Sequence, residues 1–359
     1  MAYKSLSLTG AAGDGATDDT AALAAWIGQI NAAQPPIALL PPGQFLVSYP
    51  LPPITASAVI IAGVGWAQQA STRGSSIFAG SSFAGDLLTI EGEGVELRGL
   101  TVDGRNHVPT LIAVTGGHFR FIDSQARAVA SGGVCIDIRS GGSAAWIDKC
   151  VISGLNGANT GIQVNDTDII ISGTKPQNNA YNVVLLNGAS GALISGNHMT
   201  PGGPNGVNCI WLKGQPSHVL IDANRFDNYP ASAIQISPGT GIPADIKISG
   251  NQFHSTVLAD DKWALIGVDT SQNGVHGLHV SGNSGYARSS ARPAHALAAQ
   301  TAAGTAAGMA SRLAKLGTLF SANSFWLAGS FFAPSSSPTV ARGNIVTVDG
   351  STYSVVPDV

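Results

Sequence analysis

The phrases ISGN at 194–197, IDAN at 221–224, ISGN at 248–251 and VSGN at 280–283 recur along a 359-residue chain at steps of 27, 27 and 32 residues. They extend a longer apolar series, Leu97, Ile122, Ile147, Ile171, Ile194, Ile221, Ile248 and Val280. A second series interleaves with it: Leu88-Thr-Ile90, Ile112-Ala-Val114, Ile136-Asp-Ile138, Ile162-Gln-Val164, Val184-Leu-Leu186, Ile210-Trp-Leu212, Ile234-Gln-Ile236 and Ile266-Gly-Val268. Its steps are 24, 24, 26, 22, 26, 24 and 32. Each repeat thus holds at least two short runs of period-two alternation, separated by Gly, Asn and Ser turns. Leucine-rich phrases and WD signatures are missing, so a solenoid of roughly 24-residue coils fits, each coil stacked about 4.8 Å from the last. Parallel crossovers of this kind are right-handed. The expected fold is therefore all-β, a single-stranded right-handed parallel β-helix. Its stacking sets Asn197, Asn224, Asn251 and Asn283 one above another at a coil corner. Their amides form a ladder there, and Asn tolerates the left-handed backbone of a tight corner.

The ends of a solenoid expose strand edges that need cover. GDGATDDTAALAAWIGQI (13–30) reads as a helix with Asp18, Asp19 or Thr20 as N-cap and an apolar stripe of Leu23, Trp26, Ile27 and Ile30. The paired aspartates open that helix rather than bind a metal. Past Tyr286 the period fades. A helix is expected from Ala294 to Leu316, then an aromatic stretch at 319–334, then a β-hairpin around Asp349-Gly350. Phe320, Phe325, Trp326, Phe331 and Phe332 have two readings, a cap on the coils or the interface of a homotrimer. The expected organisation is 1–66 for the N-terminal cap and first strands, 67–286 for the coils, and 287–359 for the helix and aromatic segment.

The opening GDGATDDTAAL (13–23) closely resembles the GDGxTDDTxAL start of the pectate-lyase-like superfamily, which includes polysaccharide lyases, glycoside-hydrolase-related proteins and phage tailspikes. LLPPGQFLVSYPLPP (39–53) and IAGVGW (61–66) are similar to the strand and turn that follow in that superfamily. The resemblance implies a β-helix and a polysaccharide partner; one fold hosting many activities, it does not choose among them.

Composition excludes other classes. The 45 glycines have no triplet period and 44% of residues are hydrophobic, which sets aside collagen and disorder. A net charge of −3 offers no field for nucleic acid. Cys135, Cys150 and Cys209 show no CxxC spacing, so neither a zinc site nor a disulfide framework is expected. No cofactor is expected, Ca2+ is not indicated, and no run is apolar enough to read as a membrane span. MAYKSLSLTG lacks the apolar core of a secretory leader. The family resemblance nonetheless implies an extracellular or virion-associated place.

Outward positions of the first series stack into columns. One reads Thr89, Ala113, Asp137, Gln163, Leu185, Trp211, Gln235, Gly267; the next reads Glu91, Thr115, Arg139, Asn165, Asn187, Lys213, Ser237, Asp269. Amides, charges and a Trp on one face suit a sugar chain. Substrate binding is therefore expected at Gln163, Asn165, Asn187, Trp211 and Gln235, and at Trp263 in the expanded loop STVLADDKW (255–263). A glycosidase needs two carboxylates, and Asp137 with Asp166 or Asp168, or Asp260 with Asp261, are candidates. A lyase needs a cation and a base, for which Arg139 and Lys213 are candidates. The polygalacturonase-type NTD phrase is replaced by Asn159-Thr160-Gly161, which counts against that subclass. Lyase, hydrolase and non-catalytic glycan-binding adhesin or spike all stay open. His198 and His254 read as surface or turn residues.

Overall fold

A computed structural model describes residues 5–66, 74–155, 157–202, 207–239, 241–255, 264–269, 275–287, 295–301, 304–305, 319–321, 324–326, 340–342, 344–348 and 351–355. The chain forms two compact units, Met1–Asn179 and Ala180–Val359. Both are parallel β-solenoids, and each coil contributes a first, a second and a third strand.

In the first unit, the first strands Asp86–Ile90, Thr110–Val114, Val134–Ile138 and Thr160–Val164 pair in parallel. Second strands such as Glu96–Arg98, Arg120–Ile122, Trp146–Asp148 and Ile170–Ser172 form a second sheet. Third strands from Gly43–Val47 through Lys175–Gln177 form another. Alternation turns Leu88, Ile112, Ile136 and Ile162 inward, where they are almost wholly buried. Each such side chain contributes about 1.5–3 kcal/mol by leaving water. In the second sheet the inward position of its coil belongs to Phe121, not Ile122: Phe121 aligns with Leu97 and Ile147 and is fully buried. Adjacent apolar residues hide which one faces in, and a one-residue slip exchanges the faces.

The helix runs from Thr20 to Ala33 and buries Leu23, Trp26, Ile27 and Ile30, the expected stripe. Asp19 is its N-cap residue, but the carboxylates flanking the start serve nearby backbone. Asp18 Oδ1 accepts from the Thr20 N–H at 3.0 Å, and Asp19 accepts from Ala12 and Gly13 N–H at 2.7 and 3.0 Å. Hydrogen bonds from Thr20 hold the Asp18 carboxyl below its ordinary range.

In the second unit, the first strands Tyr181–Leu185, Asn208–Lys213, Ile234–Ser237, Ala264–Asp269 and His295–Thr301 pair in parallel. Val183, not Val184, aligns with Ile210, so the first strand here is one residue earlier than the repeat suggests. The run from Val183 to Leu186 is apolar throughout, and period two cannot be read in it. The second and third sheets run through Ser217–Asp222, Ala244–Ser249 and His276–Ser281, and through His198–Met199, Arg225–Asp227, Gln252–Ser255 and Ser284–Ala287.

The asparagine ladder forms between these two sheets. Asn197, Asn224 and Asn251 each donate backbone N–H and Nδ2 to Oδ1 of the next Asn, over 2.9–3.0 Å. Nδ2 of Asn224, Asn251 and Asn283 also reaches the carbonyls of Ile194, Ile221 and Ile248 at 2.8–3.0 Å. The left-handed backbone belongs not to Asn but to the residue before it: Gly196, Ala223, Gly250 and Gly282 have φ of 66, 53, 64 and 65°. Glycine is favoured there because it has no Cβ to clash in that region.

The Ala294–Leu316 helix does not form at 295–301, which is strand paired with Ala264–Asp269. Alanine propensity is a weak preference, and parallel pairing with the preceding coil overrides it. Residues 306–318 lie outside the described residues. Pairing continues at Leu319–Ser321 and Ser324–Trp326, and Asn344–Val348 with Ser351–Val355 is the expected antiparallel hairpin.

Candidate functional site

The outward face of the first-strand sheet in the first unit carries an ionic cluster. Register sets Ala113 between Thr89 and Asp137, and Gln163 next to Asp137. Asp137 Oδ1 accepts from Gln163 Nε2 at 2.9 Å, and Oδ2 accepts from Arg139 Nε at 2.8 Å. The same guanidinium reaches back two coils, donating Nη1 to Asp86 Oδ2 at 2.8 Å and Nη2 to Asp86 Oδ1 at 3.2 Å. The Asp86 bonds come first in pushing the Arg139 pKa still higher, against the opposing effect of burial. Side-chain exposure is 39% for Arg139 but only 12% for Asp137. A planar cation clamped by two carboxylates is rigid, as charge-assisted bidentate pairs are. The centre carries one net negative charge.

Asp137, Arg139 and Gln163 are thus brought together as the columns predicted, while Asp86 was missed. It begins its strand 53 residues before Arg139, and no neighbouring letter marks the contact. Asp166 serves a turn: its carboxylate accepts from the backbone N–H of Gly141 and of Thr167. Asp168 stands exposed at a left-handed corner, φ 61°, a position filled in adjacent coils by Gly94, His118 and Ala144. Asn165 is half-buried just past its strand, its N–H bonded to the Ile138 carbonyl at 2.8 Å.

In the second unit the corresponding face is aromatic. Trp211 packs on Tyr181 with ring centroids 4.8 Å apart and planes tilted by 30°. Lys213 Nζ lies 4.8 Å from the Trp211 ring centre, a cation–π contact. Gln235 aligns with Trp211 in register and donates Nε2 to the Ile236 carbonyl at 3.4 Å. Among the described residues, Trp211 Nε1 and Gln235 Oε1 are buried without hydrogen-bond partners. Tyr181 was missed because it aligns with Asn208, two residues ahead of the apolar triplets from which the columns are read. The slip by one residue removes Asn187 from the outward column. It sits exposed in the following turn, accepts the Gln215 N–H at 3.2 Å, and lies where a Cβ on Gly214 would meet it at 1.6 Å. Asp260, Asp261 and Trp263 lie outside the described residues.

Cys135, Cys150 and Cys209 are free and buried, and burial pushes the Cys150 thiol up to about 12, so none is a reactive thiolate. Among the described residues no group of three His, Cys, Asp or Glu side chains is arranged to hold a metal. No helix among them is long and apolar enough to cross a membrane.

Several solved structures share the fold. Full-length tailspike protein 2 from an Escherichia coli O157:H7 bacteriophage matches with a TM-score of 0.67 at 14% identity, over 97% of this chain and 46% of that one. The catalytic unit of a thermostable α-1,3-glucanase from Streptomyces thermodiastaticus matches with 0.62 at 14% identity, over 99% and 72%. The A-module of a mannuronan C-5 epimerase from Azotobacter vinelandii matches with 0.57 at 15% identity, over 95% and 99%. The chain spans under half the length of the tailspike. Comparison with curated proteins by sequence gives no match. The family model described as right handed beta helix region matches residues 110–290, half of the chain, and the chain belongs to that family.

Proposed function

We propose that this β-helix binds a polysaccharide and hydrolyses it, with the reactive centre at Asp137, Asp86 and Arg139 on the first-strand face of the first unit. The observation that carries this is the clamp itself: two carboxylates on one guanidinium, on an outward strand face, with Asp137 largely buried. Glycoside hydrolysis needs one carboxyl as acid and another as base or nucleophile. Asp137, positioned by Arg139 and Gln163, is the base or nucleophile. Asp86 is the acid once a bound sugar displaces the guanidinium from it. Elimination is the less suited reaction, because Arg139 is already occupied by two carboxylates and has little charge left to neutralise a uronate.

The second unit supplies a sugar-holding surface. Tyr181 and Trp211 form an aromatic platform, with Gln235 beside Trp211 in register. Neighbours named as a tailspike, a glucanase and a mannuronan epimerase support a carbohydrate partner, and the tailspike supports an extracellular or virion-borne place. A homotrimer, read from the aromatic stretch at 319–334, belongs to the same proposal and is tested by the mass of the protein in solution.

A second reading, a glycan-binding spike without catalysis, draws on the same clamp, since paired charges also serve structure. Incubation with a panel of neutral and acidic polysaccharides separates the two. Hydrolysis predicts new reducing ends without the ultraviolet absorbance of an unsaturated product. Absorbance with reducing ends means elimination; polymer binding with neither means a spike.

A further inference from the structure

The third-strand sheet of the second unit holds a charged cluster unmarked by either strand series. Met199, Phe226 and Phe253 face inward and are buried, so alternation turns His198, Arg225, Asp227, Gln252 and His254 outward. Register places His198 beside Arg225 and Asp227 beside His254. Asp227 Oδ2 lies 2.7 Å from His198 Nε2, its Oδ1 lies 3.5 Å from His254 Nδ1, and Arg225 Nε donates to both oxygens at 3.0 and 2.9 Å. Asp227 is 11% exposed, whereas His198, Arg225 and His254 are 43, 54 and 36% exposed.

One sunken carboxylate therefore organises three outward groups that are cationic or can become so. The cluster is neutral while both imidazoles are neutral and gains one positive charge for each that protonates. The third-strand sheet of the first unit shows the contrast: Arg127 donates Nε to Asp103 at 2.8 Å, both side chains are mostly buried, and among the described residues no histidine joins them. That pair is closed. Arg127 also sets Nη2 2.7 Å from the same carboxylate, whereas among the described residues Arg225 meets Asp227 through Nε, which leaves the outer edge of its guanidinium for a ligand.

We infer that this patch is a binding site for an oxyanion, the carboxylate of an acidic sugar or a phosphate group, taken by Arg225, His198 and His254 with Asp227 as positioning residue. The guanidinium and both imidazoles stand on one outward face around Asp227, and a guanidinium with imidazole N–H groups is a donor set that oxyanions take. The inference does not rest on the hydrolytic centre. Each proton taken up by an imidazole adds a positive charge to the patch, so binding strengthens as pH falls. Among the described residues, the charged and titratable groups set against the imidazoles include Arg225 and Asp227 on the central strand; Tyr286 aligns with His254 on the next one. Asp227 keeps its charge throughout: burial works to raise its pKa, but hydrogen bonds from Arg225 and His198 outweigh it and hold the carboxyl below its ordinary range. Cys209 and Tyr229 nearby are pushed up by burial and stay neutral.

The test is imidazole NMR of the full chain, titrated with methyl glucuronide, with inorganic phosphate, and with methyl glucoside as the uncharged control. At about pH 5.5 the His198 and His254 resonances should move with the anions and not with the glucoside, and by about pH 8 affinity should fall roughly tenfold or more. Arg225→Gln should weaken binding by about tenfold, the loss expected for a charged hydrogen bond. Arg225→Lys keeps the charge without the fork and should recover only part of it. Stronger glucuronide binding assigns the site to an acidic sugar, and stronger phosphate binding assigns it to a phosphate group. Two imidazoles unmoved by either anion at the lower pH would overturn the proposal even if a variant fails to fold. So would binding that is equal at both pH values.

Discussion

The two units build their outward first-strand faces from one coil geometry and opposite chemistry. In the first unit the face is ionic, with Asp86, Asp137 and Arg139 locked together; in the second it is aromatic and amide, with Tyr181, Trp211 and Gln235. Coil corners differ as well. The second unit uses asparagine throughout, each Asn amide bonding along the ladder. The first uses Ser124, Cys150 and Thr174. Ser124 Oγ and Thr174 Oγ1 each accept one backbone N–H from the preceding coil, those of Leu100 and Cys150, at 3.3 Å. They add local contacts such as Ser124 Oγ to the Ile122 carbonyl at 2.7 Å, with no second amide donor to carry the ladder on. Inward positions must pack, so they repeat, whereas outward positions are free of that demand and can carry function. What the comparison teaches is that ordering resides in the corners and chemistry in the faces.

The sharpest way to break this contrast is to remove the cation from the ionic face. Arg139→Met leaves Asp86 and Asp137 facing each other, and polymer cleavage should fall by about a hundredfold or more. Its pH–rate profile should move upward, because two like charges favour retaining a proton. An unchanged rate would place the chemistry elsewhere.

Corners come next. Asn251→Leu strands the Asn224 N–H and Nδ2 without their acceptor and should cost roughly 3 kcal/mol or more, whereas Ser124→Ala should cost about 1 kcal/mol. Denaturant unfolding measures both, and equal losses would erase the distinction between the corners. Asp227→Asn should destabilise at neutral pH by about 1.5–3 kcal/mol. Because the folded carboxyl is held below the ordinary value of 3.8, its contribution is present above that value and lost as pH falls further. The variant should therefore lack that part of the acid loss seen in pH-dependent melting. The smallest effect is expected at Ala223, where φ of 53° is strained for a residue with a Cβ. Ala223→Gly should raise stability by roughly 0.5–1 kcal/mol, the relief being partly offset by the freer unfolded chain.

Much of the fold was legible because the second unit spells its corners in one letter. ISGN, IDAN and VSGN announce an asparagine ladder, and the preceding Gly marks the left-handed residue. Ser124, Cys150 and Thr174 do the same work in three different letters, so that part of the ladder is silent in sequence. Register failed at Phe121-Ile122 and Val183-Val184 because two apolar neighbours compete for one inward place. Asp137, Arg139 and Gln163 were legible as columns, since stacking at a fixed period predicts neighbours. Asp86 was not, because its contact depends on a long side chain crossing an entire coil. The His198, Asp227 and His254 cluster escaped for the same reason that Ser124 did: stacked partners of different types leave no repeated phrase.

The most direct test of the central claim is the rate at which Asp137→Asn releases reducing ends from a polysaccharide that the unaltered protein cleaves. The substitution preserves shape and removes the charge at the heart of the clamp. A folded variant that still binds the polymer but loses about a hundredfold or more in rate is the predicted result. A folded variant that cleaves at the original rate would contradict it.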